Sequence, residues 1–239
     1  MPKPLNDYSS ISQLDLDIKP FNLPPNTLLN RQNFCGRILK RTGDIVFSLF
    51  VIIFGAPVFV LLAVLVKISS PGSIFYVQER VGRNYKRFGC IKFRTMYKNS
   101  DILLSNLLAN SAQLREEFNK DFKLRKDPRI TWIGGFLRRS SLDELPQFFN
   151  VLKGEMSVVG PRPIVRDELN KYGMSMDEVI SVRPGLTGLW QVSGRNNLSY
   201  KKRVQLDLIY ARNRNFILDL EIIILTLGVL IFPMDRGAY

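Results

Sequence analysis

The chain has 239 residues, 46% of them apolar and 23% charged, which suits one globular domain with a sizeable core and excludes a disordered chain or a coiled coil. Its 34 Lys and Arg against 21 Asp and Glu leave a net charge of +13, favouring an anionic partner: nucleic acid, phosphorylated small molecules or an anionic lipid surface. There is no histidine, which rules out zincins, His-based triads and His-ligated metals together; two cysteines, Cys35 and Cys90, are too few for a zinc site or a disulfide framework and fit a reducing compartment.

Residues 1–30 hold Pro2, Pro4, Pro20, Pro24 and Pro25 among polar residues without a sustained period, as in a loosely ordered arm. From Ile45 to Val66 run 22 residues without a charge, about 33 Å of helix against a bilayer core of about 30 Å. The run is too long and too far from the N-terminus for a secretory signal; a fully buried soluble helix is the alternative, but the run is apolar on every face. Membrane insertion is therefore the expectation. Pro57, preceded by Gly55 and Ala56, removes a backbone bond just past the middle and bends the helix. Both flanks are basic: Arg37, Lys40 and Arg41 before the run, and Lys67, Arg80, Arg83, Lys86 and Arg87 after it. Basic flanks favour the cytoplasm, and a span cannot keep both there. A helix–break–helix that enters and returns to the same face meets both observations; a Pro-kinked span is the alternative.

Further along, IFYVQERV and FGCIKFRTM flank a Gly-Arg-Asn stretch between Ile74 and Met96, predicting a basic hairpin. Leu103, Leu107, Leu114, Phe118 and Phe122 give Asn99 to Lys126 a helical period. Another helix is expected after Ser141, stopping at Gly154. Loops follow at GPRP 160–163, RPGLTG 183–188 and SGRN 193–196. The last helical region ends in the apolar run Ile222–Phe232, short for a span and better suited to lie in the interface.

No Walker A loop and no strand-linked GxGxxG occurs, so the commonest nucleotide cradles are absent. Carboxylates and arginines remain, densest from Arg138 to Pro163. Ser141-x-x-Glu144 reads most simply as a capping box, and spacing alone favours that reading. Pro146 would then fall one turn into the helix, and capping by Asp143 would place it better. The functional reading puts Asp143 and Glu144 at a helix N-terminus beside Arg138 and Arg139. There a carboxylate stays ionised at neutral pH and can attack phosphorus, while the arginines neutralise phosphate oxygens. Arg162, between two prolines, has a stiff backbone that can hold its guanidinium in place; an ordinary surface arginine is the alternative.

KRTGDIVFS, KFRTM, SLDELPQFFNVLKGEMSVVGPRP, RPGLTGLWQVSGRN and LDLIYARN follow one another as in the bacterial sugar transferase family, the monotopic phosphoglycosyl transferases. The resemblance runs from about Arg37 to the C-terminus, leaving residues 1–30 outside, and looks like the family's short form without an additional N-terminal multi-span region. It implies an α+β monotopic membrane protein: a re-entrant helix–break–helix at 45–66 and a small basic cytoplasmic catalytic domain, 31–239, with interfacial amphipathic helices. It further implies transfer of hexose-1-phosphate from a UDP-sugar to undecaprenyl phosphate, with release of UMP, as the initiating step of exopolysaccharide, capsule, O-antigen or other glycan assembly at the bacterial cytoplasmic membrane. By the same resemblance Asp143 is the covalent nucleophile and binds Mg2+, Glu144 is its partner, and Lys92, Arg94, Arg138, Arg162, Arg183 and Arg195 line the phosphate and nucleotide site. Pro57 matches the break, but Ala56 replaces the usual Ser and lacks the hydroxyl that could bond a freed carbonyl.

A membrane-tethered nucleic-acid binder would also use the positive charge, but the basic residues cluster near Pro/Gly loops and no reader motif occurs; nucleic acid is not an expected partner. A catalytically inert scaffold would leave Asp143 dispensable. The sugar is not legible, and oligomeric state is open, a homodimer among the options.

Overall fold

The computed structural model describes residues 34–121, 124, 127–194 and 197–231; the N-terminal arm and Arg195 lie outside them. Helix α1, Phe34–Ser69, contains the apolar run with Pro57 inside it and is long and apolar enough to cross a membrane. Its side chains divide by face. Val46, Phe50, Ile53, Phe54, Val60 and Leu61 are exposed, while Leu62 and Val66 are buried. Residues on either side of Pro57 pack on the same body: Phe47 meets Phe148 and Phe59 meets Phe149, with ring centroids 6.1 Å apart in both pairs.

The hairpin forms where alternation places it. Strands β1, Phe75–Val81, and β2, Arg87–Phe93, pair antiparallel with Gln78 opposite Cys90 and Arg80 opposite Phe88. The outer edge of β2 is met by a side chain: Asn150 accepts from the Ile91 N–H at 3.0 Å and donates to the Gly89 carbonyl at 2.7 Å.

The expected long helix after Asn99 is two helices, α2, Ser100–Asn110, and α3, Ala112–Asp121. Ser111 between them is extended, with φ −142° and ψ 114°, and its hydroxyl accepts the Leu114 N–H. This is the local competition with helix that serine offers, and the apolar period does not reveal it. Helix α4, Trp132–Ser140, begins at Thr131, whose side chain accepts the Gly134 N–H. A Cβ at Gly134 would collide with the Thr95 carbonyl, so glycine lets α4 lie directly against the end of the hairpin.

Helix α5, Gln147–Lys153, ends at Gly154 with φ 83°, the expected left-handed stop. Its last carbonyls meet cations: Arg41 donates to Val151 and Leu152, and Arg183 to Gly154, which suits the negative end of a helix. Strands β3, Ser157–Val159, and β4, Gly185–Thr187, then pair in parallel, with Gly160 and Gly185 so close that a Cβ on either would strike the other loop's backbone. The short helices α6, Met176–Val179, and α7, Leu189–Val192, precede α8, Tyr200–Asn213.

Helix α9, Phe216–Ile231, contains the final apolar run as far as Ile231 and is amphipathic in burial. Ile217, Leu220, Ile224 and Leu227 face outward, while Leu218 and Ile222 are buried. The main core joins β2, α5, β3, α7, α8 and α9 through residues such as Phe88, Val151, Met156, Leu189, Leu206 and Ile222. A second cluster includes Tyr172, Met176, Val179 and Val204. A third joins Leu62 and Val66 of α1 to Phe93, Ile133 and Leu137. Helices thus surround two small sheets, and the exposed apolar faces of α1 and α9, with Trp132 and Phe136 of α4, are surface that a lipid phase would cover.

Candidate active site

The chain turns sharply where α4 ends. Ser141 takes the left-handed conformation, φ 59° and ψ 15°, and its N–H returns to the Leu137 and Arg138 carbonyls. The following residues, Leu142–Glu144, form a single 3-10 turn, so Asp143 and Glu144 stand between two helices rather than inside one. The capping-box reading fails here. Ser141 makes no side-chain capping bond, and Glu144 reaches Lys92 instead. Asp143 does not cap α5 either, since Pro146 holds that position without a side-chain cap, where its missing N–H costs nothing.

The two acids differ. Glu144 is half-buried, and its Oε1 lies 2.6 Å from Lys92 Nζ. Burial alone would raise its carboxyl, but Lys92, then Arg162 and Arg80, hold it below the usual carboxylate range. Asp143 is buried, and among the described residues no side chain hydrogen-bonds to its carboxylate. Burial lifts it to about 6; Glu144 adds to the rise, while Lys92 and Arg138 oppose it. It is therefore mostly ionised at pH 7, and apart from its own backbone N–H its carboxylate is left without a donor, a combination that suits a nucleophile.

The surrounding cations fall into two groups. Lys92, from β2, pairs with Glu144 and its charge also lowers the Asp143 carboxyl. Arg138, from the last turn of α4, donates Nε to Thr95 Oγ1 at 2.9 Å and acts on Asp143, whereas Arg139 is exposed. Arg162 comes from the GPRP loop. It is exposed between buried Pro161 and Pro163, with its guanidinium 5.9 Å from the centre of the Trp190 ring. Arg94 is placed elsewhere. Its guanidinium is committed to Ser70 and Pro71 at the end of α1. Arg183 likewise sits at the end of α5 near Arg41, Arg83 and Asp44.

Sequence reading assigned Arg80 only to the basic flank. The structure buries it, with a donation to the Pro163 carbonyl at 3.0 Å and an influence on both Glu144 and Arg162. A signal was present. In the hairpin register Arg80 shares a face with Gln78, opposite Phe88 and Cys90, which makes it a cation on the core side. Arg203 was missed as well. It stacks 5.1 Å from the centre of the same Trp190 ring.

For a metal, no group of three Asp, Glu or Cys residues comes together among the described residues. That arrangement still fits Mg2+, which commonly takes one or two carboxylates and completes its shell with water and substrate phosphate. Asp143, with open lone pairs, is the donor such an ion would use.

A buried carboxylate without a side-chain partner, beside a lysine-paired acid and near arginines, can attack a phosphorus centre whose oxygens the cations neutralise. Comparison with known proteins identifies the family. Residues 35–233 match the profile of the bacterial sugar transferase family. The chain is 52% identical over 211 residues to an uncharacterized sugar transferase of Haemophilus influenzae, covering 88% of this chain and 44% of that protein. It is 48% identical over 214 residues to the undecaprenyl-phosphate galactose phosphotransferase of Salmonella typhimurium, covering 90% and 44%. It is 45% identical over 204 residues to the exopolysaccharide production protein ExoY of Sinorhizobium fredii, covering 85% and 89%. The chain thus spans under half the length of the first two relatives and most of the third. A match over this extent, with Asp143 and Glu144 inside it, shows that the chain belongs to the bacterial sugar transferase family.

Proposed function

We propose that the chain transfers hexose-1-phosphate from a UDP-sugar to undecaprenyl phosphate, releasing UMP, and so initiates assembly of a surface glycan. The observation that carries the reading is the contrast between the two acids: Glu144 is held ionised by Lys92, while Asp143 is buried without a side-chain partner. In the first step an Asp143 oxygen attacks the sugar-linked phosphorus. The bond from that phosphorus to the bridging oxygen breaks, and UMP leaves with the electron pair. In the second step an oxygen of the lipid phosphate attacks the same phosphorus and the acyl-phosphate bond breaks, which restores the Asp143 carboxylate. Glu144 accepts a proton from the incoming phosphate or orients it. Arg138 and Arg162 neutralise phosphate oxygens, so two anions never meet without compensation. Asp143 would hold Mg2+, which would supply further charge neutralisation on the diphosphate.

The same reading places the catalytic body on the cytoplasmic face of the membrane, with α1 entering and returning at Pro57. Packing supports this, because α1 residues before and after Pro57 contact one body, although the helix runs unbroken through Pro57 from Phe34 to Ser69. Tags before Arg37 and after Lys67 should both resist external reagents in intact cells; outside labelling of the first tag would establish a span instead.

The reaction is tested by giving the detergent-extracted chain undecaprenyl phosphate and a panel of UDP-sugars. UMP release with one sugar is expected. A phosphosugar mass increment on the peptide containing Asp143, formed with the UDP-sugar alone, identifies the intermediate. An adduct mapped to another residue would sink the assignment.

A further inference from the structure

Asp207, on α8, is completely buried and takes no part in the chemistry above. Its Oδ2 accepts from the Tyr172 hydroxyl at 3.0 Å. Its Oδ1 closes no hydrogen bond, although the backbone N–H of Arg162 lies near enough to stabilise the carboxylate. Tyr172 follows the 3-10 helix Arg166–Lys171 and shares a buried cluster with Ile164, which directly follows the GPRP loop, and with Val204 of α8, so α8 packs both segments together. Tyr172 and Arg162 also line one small recess with Glu168, Trp190 and Arg203. The guanidinium of Arg162 is exposed while its neighbouring prolines are buried. Its direction therefore depends on how the loop backbone is seated.

We propose that Asp207 and Tyr172 form a positioning pair that seats the Arg162 loop, so that the guanidinium meets a substrate phosphate in a fixed orientation. This rests on the transferase reading, which supplies the phosphate. The charge state suits the task. Burial lifts the Asp207 carboxyl to about 8, so at neutral pH it is mostly protonated and holds the loop without cancelling the cation that phosphate needs. An ionised acid in the same place would compete with phosphate for Arg162.

UDP is the probe, because every UDP-sugar carries it, and its Kd is measured on the detergent-solubilised full chain. Tyr172→Phe deletes one hydroxyl and should weaken UDP about fivefold, the worth of one ordinary hydrogen bond. Arg162→Ala should weaken UDP about tenfold or more, as expected for loss of a charge-assisted contact. Adding Tyr172→Phe to Arg162→Ala should cost nothing further, because the pair acts through Arg162. Asp207→Asn, a neutral isostere, should bind UDP like the parent chain, whereas Asp207→Leu should lose what Tyr172→Phe loses. Equal losses from Tyr172→Phe in both backgrounds would assign the pair to packing alone and overturn the proposal, as would unchanged UDP affinity in Tyr172→Phe. If the parent chain binds no UDP, the transferase reading falls and the proposal with it. A parent that binds UDP but shows additive losses removes only the positioning role.

Discussion

Two regions of the molecule are built around paired acids, and they use them in opposite ways. Where α1 meets β3 and α9, Lys40 Nζ sits 3.2 Å from Asp44 Oδ1 and 2.9 Å from Asp219 Oδ2. Ser157 Oγ lies 2.8 Å from Asp44 Oδ2, and the Val158 N–H donates to Asp44 Oδ1 at 3.1 Å. The Tyr210 hydroxyl is 2.7 Å from Asp219 Oδ1. Each acid there is matched by a cation or by donors from another element. Around Asp143 and Glu144 the matching is one-sided: Glu144 has Lys92, and Asp143 has charge nearby but no side-chain donor. A satisfied acid network stabilises contacts between elements, whereas a buried carboxylate with open lone pairs is costly to fold and ready to react.

The largest effect expected from this contrast is at Asp143. Asp143→Asn should lower UMP release by at least about a thousandfold, because an amide cannot serve as the nucleophile. Its thermal unfolding should not fall, and a marked fall would move Asp143 into the structural class.

Next in size is the clamp. Asp44→Ala leaves Lys40 and Ser157 without that partner and should cost about 3–5 kcal/mol, as for a broken buried pair. Unfolding in detergent measures this. The folded fraction should still form the adduct on Asp143, and its loss there would tie the clamp to the chemistry.

Smaller effects follow from pH. The Asp143 carboxyl rises to about 6 on folding from an ordinary value of 3.8. Its contribution to stability is therefore full below about 4 and is lost as pH rises through about 6. Above that range the ionised group costs about 1–3 kcal/mol. Asp143→Asn removes the cost and should unfold at a higher temperature than the parent at pH 8, but not at pH 4. For activity the sign reverses, since the nucleophile must be ionised. The rate of adduct formation should fall below a pH near 6, and the UDP-sugar diphosphate does not itself titrate there. Lys92→Met should shift that limb to higher pH, because a charge holding the carboxyl down is gone; an unmoved limb would assign the titration to another group.

Much of this arrangement could be read from the residues. The hairpin followed from period-two alternation, the long apolar helix from an uncharged run, and the α5 stop from Gly154. The Asp-Glu pair was located, but the turn presenting it was not, because a serine in the left-handed region leaves no signature comparable to glycine. Spacing therefore suggested a capping box that packing does not make. Arg80 was passed over because cations usually lie on surfaces, and only the pairing register shows it facing the core. Arg94 illustrates the reverse. It looked like a phosphate ligand, but its guanidinium binds the carbonyl oxygens of Ser70 and Pro71, whose positions depend on where α1 ends in space.

Leu62 and Val66 belong at once to the apolar helix and to the cluster around Phe93, Ile133 and Leu137, and Arg41 of the same helix satisfies the last carbonyls of α5. Removing α1 to obtain a soluble fragment would thus open the catalytic body itself, uncovering apolar side chains beside the strand that carries Lys92 and the helix that carries Arg138. The apolar helix is therefore not an exchangeable tether: its packing is part of the body that holds the two acids.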